Sequence, residues 1–250
     1  SAPETGQPWA RMETTVLPAA TGTPLGSYRR SEHVEEQEAF RENPPNVDAD
    51  RLYYNTRRAR EVTASINPLY APDPLGADVQ LQVGITGFAT ISRSLRFELL
   101  TGSTTTLLED YELASMGEVV RTHSLPPASI DGPSTRVRVV SNPEGGSIYS
   151  FLNWLKISYD ALFQVTNNRL DFQVGSEIGA RPVEVTGFTD ADLGLYEITN
   201  PRQPRLVQLG AANVVQDGTT WKLSVMPDQA LGEERSFFAV GDASGSGLEE

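Results

Sequence analysis

A chain of 250 residues can bury one large core or two modest ones, and its 21 glycines and 17 prolines favour a β-sandwich with long loops over a helical or doubly wound protein. The formal charge of -13 argues against nucleic acid and anionic membrane surfaces as partners, and no apolar run approaches the ~20 residues of a membrane span. There is no cysteine, which removes both a disulfide framework and a thiol nucleophile.

Residues 1–50 read as an extended N-terminal arm, because Pro, Gly and Thr interrupt every periodicity there. Trp9 is the aromatic residue of the arm most free to dock, with Val16 and Leu17 as further anchors. Glu32 to Phe40 has a helical composition but is cut off by Pro44 and Pro45, so a loop or a single helical turn is expected. Asn46, Asp48 and Asp50 then alternate like the opening of a calcium loop. The glycine of the sixth place is missing, since Arg51 stands there.

From Arg51 onward the pattern turns to short strands at roughly ten-residue spacing. Tyr53 and Tyr54 precede Arg57, Arg58 and Arg60, a guanidinium patch able to dock an acidic partner. A solvated strand end paired with nearby glutamates is the commoner fate of such residues. Strands are predicted over 61–66, 78–88, 94–100, 104–113, 118–125, 135–141, 148–159, 169–174, 182–188, 193–199, 205–215, 219–225 and 236–240. Val79, Leu81, Val83 and Ile85 fall on one face of their strand, and Trp221, Leu223 and Val225 on one face of theirs. No long amphipathic helix is expected.

Catalytic constellations are hard to build. His33 and His123 are the two histidines, and no G-x-S-x-G elbow accompanies them: Gly145-Gly146-Ser147-Ile148-Tyr149 lacks the last glycine. His123 alternates with Arg121 on a side expected to face solvent or the sheet edge. Both histidines therefore read as non-catalytic, without a partner base or orienter.

In the run from Ser147 to Tyr159, Leu155, Ile157 and Tyr159 continue an apolar face begun by Tyr149 and Phe151 and broken only by Asn153. Trp154 falls on the other face with Leu152 and Lys156, as core or as an anchor between sheets or domains. A carbohydrate-binding sandwich would need such an aromatic ring outside the core. Asp190 and Asp192, before Gly194, form a second weak calcium loop, for which a plain Asx turn is the commoner reading. Further on, Asn200-Pro201 and Pro204 stop one strand and aim the next. Tyr196 and Ile198 are expected to face the core with Val207 and Leu209, leaving Glu197 in solvent. The closing Gly/Ser-rich acidic stretch, 241–250, has the composition of a linker or tail, so the polypeptide is expected to continue past Glu250.

Four strand motifs occur in a fixed order. Leu152, Trp154, Leu155, Ile157 and Tyr159 form the first, Leu170 and Phe172 the second, and Val185-Thr186-Gly187-Phe188 the third. Tyr196-Glu197-Ile198-Thr199-Asn200-Pro201, closing at Pro204, is the fourth. This succession resembles the β-sandwich region upstream of the catalytic domain in gingipain-type cysteine peptidases, which include the sortase-like member of type IX secretion. Asn153, Glu197 and Asn200 each stand where that family has Asp. Its catalytic His and Cys lie in the peptidase domain, so nothing catalytic carries over to this chain.

The expected fold is thus all-β. An antiparallel jelly-roll-like sandwich over 51–165 is followed by a smaller β-module over 166–240. The resemblance implies a non-catalytic accessory or pro-region module of a secreted or cell-surface bacterial peptidase. It would act in docking, folding or targeting, with the peptidase domain or neighbouring subunits as partners. A binding or structural subunit of a larger extracellular assembly and a carbohydrate-binding sandwich are the alternatives. No cofactor is expected beyond calcium at the two Asp-rich loops.

Overall fold

The computed structural model describes residues 12–19, 21–34, 39–40, 52–53, 61–87, 92–113, 117–130, 135–141, 150–175, 181–227 and 233–242. The strands are β1 (Glu13–Val16), β2 (Ser27–Val34), β3 (Ala39–Phe40), β4 (Leu52–Tyr53), β5 (Glu61–Ser65), β6 (Val79–Gly87), β7 (Arg93–Thr101), β8 (Thr104–Leu113) and β9 (Gly117–Leu125). A single 3-10 turn at Pro127–Ser129 follows. The chain continues through β10 (Thr135–Ser141), β11 (Ser150–Leu162), β12 (Arg169–Val174), β13 (Val183–Phe188), β14 (Leu193–Glu197), β15 (Arg205–Gln208), β16 (Val214–Asp217), β17 (Thr220–Val225) and β18 (Arg235–Gly241). No α-helix occurs among the described residues. The fold is all-β, as expected, and three predicted strands, β8, β10 and β12, form with the expected bounds.

The chain divides into two compact units: Arg30–Ala161, and Ser1–Arg29 together with Leu162–Glu250.

The Arg30–Ala161 unit contains two four-stranded sheets, ordered β5-β10-β7-β8 and β2-β11-β6-β9. Alternation decides their inner faces. Val79, Leu81, Val83 and Ile85 of β6 are fully buried, as are Leu95 and Phe97 of β7 and Val137 of β10. Phe97 of one sheet lies 5.5 Å, ring to ring, from His123 of the other, so the two inner faces close on one core. In β11 a bulge at Asn153 shifts the register against β6 between Leu152 and Trp154. Leu152 and Leu155 are therefore buried on the same side although they stand three residues apart.

The second unit holds a five-stranded sheet, β1-β15-β14-β18-β12, and a three-stranded sheet, β13-β17-β16. Among its described strand ladders all pairings are antiparallel except that of β1 with β15. A run of aromatic rings makes up part of its core: Tyr28 to Phe163 at 5.0 Å, Phe163 to Phe172 at 5.4 Å, and Phe172 to Phe237 at 5.3 Å.

Three local expectations are corrected. The stretch read as loop or helical turn runs as strand where it is described, with Glu32, His33 and Val34 ending β2 and Ala39–Phe40 pairing with β4. Distant partners supply hydrogen bonds that no local pattern announces. Of the proposed anchors of the arm, Leu17 is buried, whereas Val16 is 68% exposed on the edge strand β1. Trp221, which alternation places on the same strand face as the buried Leu223 and Val225, is only half-buried.

The proline corner forms as a turn, but the strand before it faces the other way. Gln203 donates its N–H to the Asn200 carbonyl at 2.9 Å, and Arg202 donates to Asn200 Oδ1 at 3.2 Å. Pro201 thus occupies the second place of a β-turn with an Asx turn inside it. Leu195 is fully buried and Glu197 is 8% exposed, while Tyr196 and Ile198 are half-buried. Glu197 can face inward because β15 and β18 flank β14 and each offers a guanidinium. Arg205 and Arg235 both lie 3.9 Å from its carboxylate, and Thr199 Oγ1 donates to it at 3.4 Å.

Candidate functional site

Several residues singled out from the sequence, Trp9, Asp48, Asp50, Arg57, Arg58 and Arg60, lie outside the described residues. Asp190 accepts the backbone N–H of Asp192 on Oδ1 at 2.8 Å, so this loop forms the ordinary Asx turn. Among the described residues no three His, Asp or Glu side chains come together as metal ligands would.

Trp154 is not core. It is half-buried on the outward side of β11, together with Lys156 and Ser158, while Leu155, Ile157 and Tyr159 face inward. Its indole covers Gly84 of the neighbouring strand β6, and the His33 imidazole of β2 lies 5.4 Å away, ring to ring. Leu152, expected beside Trp154, lies on the inner side because the Asn153 bulge intervenes.

The inner face of β11 supports a polar cluster. Tyr159 donates its hydroxyl to Glu32 Oε1 at 2.6 Å, and Arg30 Nε donates to the same oxygen at 2.9 Å. The Leu69 N–H adds a contact to that carboxylate at 3.1 Å, and the Arg30 guanidinium lies 4.5 Å from the centre of the Tyr70 ring. Burial, seconded by Glu32, pushes the phenol of Tyr159 far above its ordinary range.

A further opening lies elsewhere in the same unit, where β8 and β9 edge their two sheets. It is a cleft of about 900 Å³ lined among others by Leu99, Leu107, Glu109, Arg121, His123 and Leu125. Along β9 the inward positions grade from buried to open: Leu125 and His123 are buried, and Arg121 is half-buried. Arg121 forms a two-pronged ion pair with Glu109 of β8, one prong at 3.0 Å, and its guanidinium lies 4.4 Å from the centre of the Tyr111 ring. The pairing raises the Arg121 pKa still further.

His123 is the feature of this cleft that the sequence reading misplaced. It was expected at the solvent or edge side, yet it is 9% exposed and packs on Phe97. Its Nε2 is buried without a hydrogen-bond partner. Burial lowers its pKa, with Arg121 acting in the same direction and Glu109 opposing, so the ring is held neutral. The signal available in the sequence was the apolar company of Leu125 and Val119 at alternate positions on the same strand face.

No family model and no curated protein matches this sequence. Among solved structures, dimeric latent PorU from Porphyromonas gingivalis aligns over 92% of this chain with a TM-score of 0.60 and 12% identity. The chain has a PorU-like β-fold. It spans 22% of the PorU chain, and at this identity the likeness is one of fold. A structure of the infectious bursal disease virus Gx strain aligns over 91% of this chain and 46% of its own, at 9% identity and a TM-score of 0.31, too low to carry an argument. The PorU-like alignment takes in residues of both units, since neither unit alone makes up 92% of the chain. No helix among the described residues is long and apolar enough to cross a membrane.

Proposed function

We propose that this chain is a non-catalytic accessory module of a secreted gingipain-like cysteine peptidase, where it docks, folds or targets the peptidase domain. The observation that carries the reading is the alignment of nearly the whole chain with one part of PorU. The strand motifs that resemble the gingipain-type peptidases support it from an independent direction. Leu152, Leu155, Ile157, Tyr159, Leu170, Phe172, Val185 and Phe188 are all buried, so the first three motifs consist largely of core positions. Core positions speak for a shared architecture, and the peptidase role is the function that architecture serves in the family it resembles.

The test is made on the encoding gene and then on protein. The polypeptide that includes this chain should also carry a His/Cys peptidase domain. Expressed separately, that domain should bind this chain, and it should fold in higher yield when the two are co-expressed. A gene without a peptidase domain, or a peptidase domain that folds alone and does not bind this chain, overturns the reading. In either case the second reading, a binding subunit of an extracellular assembly, takes its place, supported by the open β8–β9 cleft.

A further inference from the structure

Among the described residues, β8 has β7 as its one neighbour in its sheet, and β9 has β6. Both strands are long, Thr104–Leu113 and Gly117–Leu125, and both edges lie at the same opening of the sandwich. A strand edge presents backbone N–H and C=O groups without ladder partners, the template on which another extended segment pairs. The walls of this cleft are therefore backbone edges as much as side chains, and its volume of about 900 Å³ lies within the range of ligand sites.

The lining narrows the chemistry of the occupant. Leu99 and Leu125 form an apolar floor, and Leu107, 55% exposed, forms a rim. The hydroxyl residues Thr106 and Ser129 lie beside them. Although the chain as a whole carries a charge of -13, the cleft is electrically balanced. Glu109 is matched by Arg121, and His123 is neutral. A charged side chain entering here would leave water without gaining a free counter-charge. The buried, unpartnered Nε2 of His123 calls instead for one polar group of the occupant, such as a peptide carbonyl or N–H.

We propose that the β8–β9 cleft is a binding site for an extended, uncharged peptide segment of a partner protein. The segment adds as a strand to the β9 edge, seats an apolar side chain between Leu99, Leu107 and Leu125, and hydrogen-bonds to His123 Nε2. This is strand addition, in which main-chain bonds give affinity and the pockets for alternate side chains give specificity. It does not depend on the partner being a peptidase.

The test uses the intact chain and a displayed library of random twelve-residue peptides as probe. Enriched peptides should lack Lys, Arg, Asp and Glu at the positions that alternate inward. They should shift the His123 imidazole resonances, slow amide exchange along β9, and bind at least tenfold more weakly to Leu107→Asp. Leu107 is exposed, so this variant should keep the wild-type melting temperature; Thr106→Lys, also on an exposed rim residue, serves if it does not. No enrichment, enrichment of charged peptides, or peptides whose affinity is the same for wild type and both rim variants overturns the proposal.

Discussion

Trp154 covers Gly84 so closely that a β-carbon at Gly84 would stand 2.5 Å from Cε2 of the indole. The absence of a side chain on β6 is what lets an aromatic ring lie on the outward side of a central strand pair. Gly84→Ala is expected to displace Trp154 into solvent and to destabilise the protein by about 1–3 kcal/mol, as forced overpacking does. In a background with Trp9 and Trp221 replaced by Phe, the emission of Trp154 should shift to the red. An unchanged spectrum and midpoint would show that the ring moves aside without loss.

Glu197 is the second point at which a substitution series is decisive. Leu195→Ala should cost about 2–4 kcal/mol, because its side chain is fully buried. Glu197→Ala should cost about 1–2 kcal/mol, since Arg205, Arg235 and the Thr199 hydroxyl then lose a shared acceptor. Glu197→Gln, which keeps the packing and the acceptor for Thr199, should cost less. Denaturant midpoints in any other order would contradict the inward orientation of Glu197.

His123 makes stability depend on pH in a definite direction. Its pKa in the folded protein lies below the ordinary histidine value of 6.5, with burial as the main cause. As pH falls through about 6.5 the unfolded chain takes up a proton that the folded chain refuses, so this part of the stability is complete above about 6.5 and declines below it. The decline ends once the folded-state pKa is passed. Thermal melts between pH 7.5 and 5 should show the loss in wild type and a smaller loss in His123→Phe. Parallel curves would remove His123 from the account.

Tyr159 works in the alkaline range with the opposite sign. Its folded-state pKa is raised, so its contribution is complete below the ordinary tyrosine value of about 10 and is lost as pH rises beyond it. Tyr159→Phe should cost about 1–2 kcal/mol at pH 7, from the hydroxyl lost to Glu32 and to the Tyr70 carbonyl. The gap between the two proteins should narrow above pH 10. A gap that stays constant to pH 11 would mean that the phenol ionises as freely as in the unfolded chain.

Much of the β architecture was legible because strand patterning is local. Alternation over Val79–Ile85 and Thr135–Ser141 specifies a buried and an exposed face whatever the partner strand is. Turn chemistry is local too. Gly218 takes φ 63° between the paired Asp217 and Thr220, and Asn167 and Asn168 take φ 53° and 59° between Thr166 and Arg169, conformations that Gly and Asn tolerate best. The Asn200-Pro201 corner belongs to the same class.

What only the tertiary structure decided concerns partners and sides. The local pattern around Glu13–Val16 does not say that β1 will pair in parallel with β15, nearly two hundred residues away, or that β2 will flank β11. Alternation divides β14 into two faces, but the inward face is the one on which Arg205 and Arg235, from two other strands, make a buried carboxylate affordable. One bulged residue, Asn153, moves Leu152 inward and leaves Trp154 on the outside, reversing an assignment that strict alternation had made. The candidate site illustrates the same limit. His123 became a buried, unpartnered ring beside Phe97 because two sheets closed over it, and a strand pattern describes one sheet at a time.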